Sequence, residues 1–203
     1  PPPPPPPPPP ATLRRQRQMC IRDRLDTVVG PHAILATNTS TLPVVELAMA
    51  TGRPDRVCGI HFFNPAPMMK LVEVIRPLTA SDDTVATALD FATSCGKDAV
   101  EVVDRAGFIV NALLFPYLNN AIKMWEQGTA SIADIDTAMQ GGCNFPMGPF
   151  ALLDLVGLDT SLAILDALHE EFGDANFMAA TSLKRKVAAG QLGRKSGRGF
   201  LEY

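Results

Sequence analysis

The amino-acid sequence predicts two successive folds: part of a doubly wound α/β sheet, then an all-α domain. Up to about residue 105, short apolar runs alternate with segments of helical periodicity, and after Gly107 only helical patterns follow. Alternation of this kind is typical of an α/β sheet, whereas a series of helices packs into its own core. We therefore expect one domain at residues 25–106 and a second at residues 107–203, the second of ordinary domain size.

Four apolar runs bounded by turn residues predict the strands of the first domain. They lie at residues 33–37, 57–63, 71–75 and 99–103. Because the runs are mostly apolar, we expect them to be buried strands of a parallel sheet. Helical patterns at residues 43–49 and 83–95 separate them, and Gly96 ends the second helix.

The second domain is predicted to contain only helices. A long apolar helix covers residues 108–127, and Pro116 is expected to kink it. Ser131 begins a capping box and Pro149 suits a first helical turn. Asp159 and Ser182 are predicted to cap the two last helices.

A histidine and a glutamate lie at the ends of two neighbouring predicted strands. His61 follows an apolar run, and Glu73 lies within the next one. A buried carboxylate needs a partner, and a histidine on the adjacent strand supplies one. Such a pair forms a general base whose charged form the acid stabilises. The alternative is a core histidine beside an unrelated glutamate at the edge of a strand.

Composition argues against several classes of partner. The chain carries a formal net charge of −3, and five arginines lie between residues 14 and 24, so the remaining body is more acidic still. An acidic body without a basic stripe argues against nucleic-acid binding. The sequence contains no apolar run of membrane-spanning length, so we expect no membrane association.

The four cysteines are scattered and form no metal-ligand pattern. Cys20, Cys58, Cys95 and Cys143 include no CxxC pair, and no histidine lies at ligand spacing from them. We expect reduced cysteines, no metal site and a cytoplasmic location.

Six sequence blocks in a fixed order carry a family resemblance. They are ATNTSTL (36–42), HFFNP (61–65), MKLVEV (69–74), GFIVN (107–111), PMGPF (146–150) and GRKSGRGF (193–200). Through them the chain, from about residue 25 to its last residue, resembles NAD-dependent L-3-hydroxyacyl-CoA dehydrogenases of the 3-hydroxybutyryl-CoA dehydrogenase type. The resemblance implies a Rossmann-type sheet, NAD as cofactor, and an acyl-CoA substrate that belongs to fatty-acid and butanoate metabolism.

The resemblance also implies roles for four residues that contact substrate or each other. His61 would be the base that takes the proton of the 3-hydroxyl group, and Glu73 would orient it. Ser40 and Asn111 would hydrogen-bond the substrate. The alternatives from the sequence alone are that Ser40 caps the helix at residues 43–49 and that Asn111 bonds a neighbouring helix.

Two further residues would approach the cofactor by the same resemblance. Asn64 follows the predicted strand that carries His61, and Lys195 lies near the C-terminus. The alternative for Asn64 is a turn residue before Pro65, and for Lys195 a solvated charge.

The first 24 residues do not fit this family. Ten consecutive prolines precede an arginine-rich stretch that matches a translated adaptor from DNA sequencing. We therefore expect residues 1–24 to be a disordered, non-native segment rather than a polyproline ligand or a transit peptide. No GxGxxG fingerprint occurs, so the chain is predicted to be a fragment that is inactive alone.

Three other functions remain open at this point. Ser40, His61 and Glu73 form the residue set of a hydrolase triad, although Ser40 does not lie in a GxSxG nucleophile elbow. A dehydrogenase of another hydroxy acid and a catalytically silent homologue are the other two. The large apolar faces of the predicted helices also suggest a homodimer formed through the helical domain.

Overall fold

The computed structural model describes Ile21 and residues 24–40 and 42–203. The predicted non-native segment, residues 1–24, therefore lies outside the described residues apart from Ile21 and Arg24. The chain divides into two compact units, the first ending at Phe108 and the second running from Ile109 to Tyr203.

A four-stranded sheet forms the centre of the first unit, with the strands in the order β1-β2-β3-β4. The strands are β1 (Leu35–Thr37), β2 (Val57–Phe62), β3 (Leu71–Arg76) and β4 (Asp98–Val103). β1 and β2 are parallel, β2 and β3 antiparallel, and β3 and β4 parallel. This sheet with its helices, followed by the helical unit, confirms the predicted fold class.

The direction of β3 differs from the fully parallel sheet expected from the sequence. Residues 63–70 connect β2 to β3. A parallel connection needs about a dozen residues or more, usually with a helix, whereas antiparallel strands can be joined by a short loop. The short connection therefore requires β3 to run back beside β2. Burial on both faces, which suggested parallel strands, reflects the helices that cover the sheet.

Each face of the sheet has its own apolar core. On one face, Cys58, Ile60, Val72 and Val74 pack against α2 (Asp82–Ser94). On the other face, a second cluster includes side chains of β1, β2, β3 and α1 (Val44–Ala48), together with Phe108. Because side chains alternate along a strand, His61 points to the face of α1 and Phe108.

The second unit is entirely helical among its regular elements. The helices are α3 (Val110–Glu126), α4 (Ile132–Cys143), α5 (Pro149–Val156), α6 (Leu158–Phe172) and α7 (Thr181–Ala188). Fully buried leucines such as Leu118, Leu153 and Leu168 form its core. α3 continues through Pro116 without interruption, so the predicted kink there stays a prediction.

Two of the predicted helix caps are wrong. Ser131 caps α4 as expected, since its Oγ accepts the Asp134 N–H at 3.2 Å. Asp159 lies inside α6, which begins after Gly157, and its carboxylate pairs with Lys195 instead. Ser182 lies inside α7, and its N–H donates to Glu126 Oε1 at 2.5 Å. In α6 the Leu192 carbonyl oxygen accepts the N–H of Leu158 at 3.2 Å, and in α7 Glu126 accepts that of Ser182, so acceptors distant in sequence replace the local caps.

Candidate active site

The register of β2 and β3 places His61 directly opposite Glu73. Opposed residues of antiparallel strands project their side chains to the same face, about 5 Å apart at Cβ. His61 Nδ1 lies 2.8 Å from Glu73 Oε2. The glutamate is 0% exposed and the histidine 5% exposed. The predicted pair is therefore formed inside the sheet, away from bulk water.

This contact fixes which nitrogen of His61 can act as a base. A carboxylate accepts hydrogen bonds, so we assign the ring proton to Nδ1. Nε2 then carries the lone pair, and the carboxylate stabilises the imidazolium that forms when Nε2 takes a proton. The arrangement suits reversible proton transfer at Nε2.

Ser40 lies at the other side of the imidazole ring. Its Oγ is 3.0 Å from His61 Nε2, so the hydroxyl donates to the nitrogen that bears the lone pair. Ser40 follows β1, and the parallel pairing of β1 with β2 brings both carboxyl ends to the same edge of the sheet. The alternative expectation, that Ser40 caps α1, is wrong: no side-chain cap from Pro43 or Ser40 is made, and Asp104 accepts the first N–H groups of α1.

Two side chains of the loop that carries Ser40 bond backbone N–H groups, one of them on β2. Asn38 Oδ1 accepts the N–H of Phe62 at 3.0 Å, which ties the loop to the strand of His61. Thr39 Oγ1 accepts the N–H of Leu42 at 3.0 Å and closes a local turn. Ser40 thus directly follows two residues whose side chains are bonded to backbone.

Two aromatic rings pack against the imidazole ring of His61. The Phe63 centroid lies 4.7 Å away and the Phe108 centroid 5.4 Å away. Phe108 has a φ of 50°, a left-handed conformation that is uncommon outside glycine. Apolar walls exclude water and strengthen the electrostatic contact between His61 and Glu73.

Comparison with known proteins assigns this chain to a family. Residues 18–105 match the model described as "3-hydroxyacyl-CoA dehydrogenase, NAD binding domain", and residues 107–203 match "3-hydroxyacyl-CoA dehydrogenase, C-terminal domain". The chain belongs to the 3-hydroxyacyl-CoA dehydrogenase family. The resemblance drawn from the sequence is confirmed, and the first match agrees with NAD as the predicted cofactor.

Individual relatives are similar over nearly all of the described chain. The 3-hydroxybutyryl-CoA dehydrogenase of Mycobacterium tuberculosis is 50% identical over 88% of this chain and 63% of the relative. The human mitochondrial hydroxyacyl-coenzyme A dehydrogenase is 49% identical over 89% of this chain and 58% of the relative. The crystal structure of M. tuberculosis FadB2 superposes with a TM-score of 0.91 at 47% identity, covering 93% of this chain and 67% of that one. The chain thus spans about 60% of the length of the curated relatives it matches.

The other predicted site residues of this dehydrogenase-family chain are Asn64 in the first unit and Asn111 and Lys195 in the second. Asn64 is exposed just after β2. Asn111 is buried in the first turn of α3. Lys195 is about half exposed, and its Nζ lies 2.5 Å from Asp159 Oδ1. Their roles toward substrate and cofactor stay predictions.

Sequence reasoning missed three residues that support the site. Asp104 bonds the start of α1, Phe108 packs on His61, and Lys97 Nζ donates to the carbonyl oxygens of Ala66 (2.7 Å) and Met69 (2.9 Å). Lys97 thereby fixes the loop between β2 and β3. Of the three, only Phe108 lies in a block that carries the family resemblance (107–111). Asp104 and Lys97 gave no signal because their partners are distant in sequence.

Within the described part of the chain, no helix is long and apolar enough to cross a membrane. Among the same residues, no group of three or more His, Cys, Asp or Glu side chains is arranged to hold a metal ion.

Proposed function

We propose that this chain is the catalytic part of an enzyme that interconverts L-3-hydroxyacyl-CoA and 3-oxoacyl-CoA with NAD(H). The observation that carries the proposal is the chain of contacts from Ser40 through His61 to Glu73. It offers one basic nitrogen at the carboxyl ends of β1 and β2, where open α/β sheets bind their ligands. Relatives named 3-hydroxybutyryl-CoA dehydrogenase favour a short acyl chain as substrate.

In the oxidation direction, His61 Nε2 takes the proton of the 3-hydroxyl group. The oxygen keeps the electron pair of its O–H bond and forms the carbonyl as the hydrogen on C3 leaves with its own pair. NAD, when bound, supplies the acceptor for that hydride. Glu73 stabilises the imidazolium that results, and Ser40 exchanges its hydrogen bond with Nε2 for one with the substrate oxygen. In the reverse direction the imidazolium returns the proton.

The residues at this edge of the sheet are chemically suited to hold NAD. The exposed amide of Asn64 follows β2 and offers both a donor and an acceptor near His61. Lys195 is our second predicted cofactor contact. To bind NAD, its ammonium group would have to break its ion pair with Asp159 or contact both groups at once. Asn111 is proposed to bind the substrate.

The first test measures acetoacetyl-CoA reduction through NADH absorbance. Because the chain spans 63% of the M. tuberculosis relative, the assay uses a chimera in which that relative's amino-terminal region precedes residue 25. His61→Ala is expected to lower kcat roughly 10²–10⁴-fold, since it removes the general base. Glu73→Gln is expected to lower kcat as well, because the tautomer and the charged form of His61 lose their support.

The matched control is His32→Gln, because His32 is exposed on the same unit. It should retain the activity of the unmodified chimera. Equal activity of the His61→Ala and His32→Gln chimeras would contradict the proposal. An unmodified chimera that binds NADH yet does not reduce acetoacetyl-CoA would favour another hydroxy acid or a silent homologue.

A hydrolase is the second candidate, because Ser40, His61 and Glu73 have the connectivity of a Ser-His-acid triad. A fluorophosphonate probe separates the two functions. Labelling that Ser40→Ala abolishes and Ser182→Ala retains would favour a hydrolase. The dehydrogenase proposal expects no labelling at Ser40.

We also propose a cytoplasmic homodimer that acts in fatty-acid metabolism, including β-oxidation. The described cysteines Cys58, Cys95 and Cys143 are free thiols, which is typical of a reducing compartment. The second unit exposes several large apolar side chains, which favours a partner surface there: Leu113, Met124, Phe145 and Leu155.

A further inference from the structure

The carboxylate of Asp104 bonds the start of a helix 60 residues earlier in the chain. Asp104 Oδ1 accepts the N–H of Val44 at 3.0 Å, and Oδ2 accepts the N–H of Val45 at 2.7 Å. These N–H groups open α1 and have no partner within the helix. A charged acceptor at this position is favourable because hydrogen bonds to an ionised group are strong and the helix start is positive.

α1 is the element that follows the loop carrying Ser40. Val44 and Ala48 of α1 are fully buried against the sheet face to which His61 points. Asp104 therefore fixes one end of the loop, while Asn38 fixes the other end to Phe62. The position of the Ser40 hydroxyl depends on both attachments.

Asp104 is also close in sequence to the second contact of the imidazole ring. It follows β4 directly and precedes Phe108, whose ring packs on His61. The Asp104 N–H donates to the carbonyl oxygen of Arg76 at 3.1 Å, which attaches this corner to β3. One residue thus connects the sheet, the Ser40 loop and the segment leading to Phe108.

We propose that Asp104 is a positioning residue that holds Ser40 against Nε2 of His61. It is not expected to contact the reacting atoms. The inference concerns the resting geometry of the site, and only its kinetic consequence rests on the proposed dehydrogenase function.

The helical unit contains a matched control with the same chemistry. Asp136 Oδ1 accepts the N–H of Phe150 at 2.8 Å, and Oδ2 accepts the N–H of Ala151 at 3.1 Å, at the start of α5. Both carboxylates therefore bond two consecutive N–H groups of a helix distant in sequence. Substitution of either should destabilise its helix start, and only Asp104 should affect His61.

The test is NMR of the full chain labelled with ¹⁵N-histidine. The chain has three histidines, and His61→Gln assigns the resonance of interest. Ser40→Ala defines the Nε2 shift of His61 without the serine hydrogen bond. Asp104→Asn and Asp104→Ala should move that resonance most of the way to the Ser40→Ala value. Asp136→Asn and Asp136→Ala should leave it unchanged.

Kinetics in the chimera add a second readout. Misplacing a group that contacts the substrate by about 1 Å can cost up to roughly 10²-fold, so Asp104→Asn should lower kcat with little change in KM. Asp136→Asn should alter neither constant. If the resonance moves as expected while the unmodified chimera is inactive, the dehydrogenase proposal fails and the positioning role stands.

Three results would overturn the inference. The first is a folded Asp104 variant whose His61 resonance equals that of the wild type. The second is an Asp136 variant that moves the resonance as far as an Asp104 variant does. The third is that neither Asp104 variant folds while both Asp136 variants do, because Asp104 would then be a requirement for the fold as a whole.

Discussion

Two buried residues of β2 that carry titratable side chains lie in different surroundings. His61 and Cys58 are both buried on β2, but they point to opposite faces. His61 bonds the carboxylate of Glu73, whereas Cys58 lies among apolar side chains. Burial therefore raises the pKa of the Cys58 thiol from 9.0 to about 11.

This thiol should make the fold sensitive to alkali. The unfolded chain releases the Cys58 proton near pH 9.0, but the folded chain retains it up to about 11. Stability from this residue is thus complete below pH 9.0 and is lost as the pH rises toward 11, at about 1.4 kcal/mol per pH unit. Urea denaturation at several pH values across that range should show that the free energy of unfolding falls less steeply with pH in Cys58→Ala than in the wild type. Cys95→Ser, at an exposed thiol, should keep the wild-type slope.

The proposed role of Ser40 came from the family resemblance, whereas His61 and Glu73 could be found from the sequence because each follows or lies in an apolar run. Their residue types suggested the chemistry, and the strand pattern suggested the place. Asp104 gave no such signal, since its partners Val44 and Val45 are 60 and 59 residues away. The prediction that Ser40 caps α1 was wrong for the same reason. Capping rules consider acceptors near the helix start in sequence, whereas the acceptor here, Asp104, is distant.

At the scale of elements, Gly59 shows how closely β2 and β3 approach. A Cβ atom on Gly59 would lie 2.8 Å from Cβ and Cδ1 of the fully buried Ile75. Gly59→Ala should therefore overpack the sheet face and destabilise the fold by about 1–3 kcal/mol. The midpoint of urea denaturation at unchanged m-value measures this.

Gly141→Ala serves as the control for that substitution. No atom lies within 4 Å of a Cβ built at Gly141, and the residue is inside α4. Alanine should stabilise this helix by up to about 1 kcal/mol. Equal midpoints for the two variants would show that space at Gly59 is not limiting.

Most strands and helices could be placed from periodicity to within about two residues, because apolar spacing reports burial directly. Strand direction was less accessible, since a buried strand has the same composition whether its neighbour is parallel or antiparallel. The length of the connection at residues 63–70 contained the missing information.

At the scale of the whole molecule, a charged residue placed in the proposed interface should dissociate the homodimer. Leu113 of α3 is 73% exposed, and placing a carboxylate there should disrupt an apolar contact between copies of the chain. Leu113→Asp is expected to shift the mass in light scattering from dimer to monomer. Leu78→Asp in the first unit, where Leu78 is 95% exposed, should leave the dimer intact. A monomeric wild type would reject the proposed dimer.

The antiparallel pairing of β2 with β3 limits how this gene can change during evolution. His61 faces Glu73 only while the strand register is kept, and a shift by one residue turns a side chain to the opposite face. A single-codon insertion or deletion inside either strand would therefore separate His61 from Glu73 without substituting either residue. The loop between them can change in length, provided that the carbonyl groups bound by Lys97 remain in reach. Descendants should accordingly vary in the length of this loop and keep the length and register of both strands.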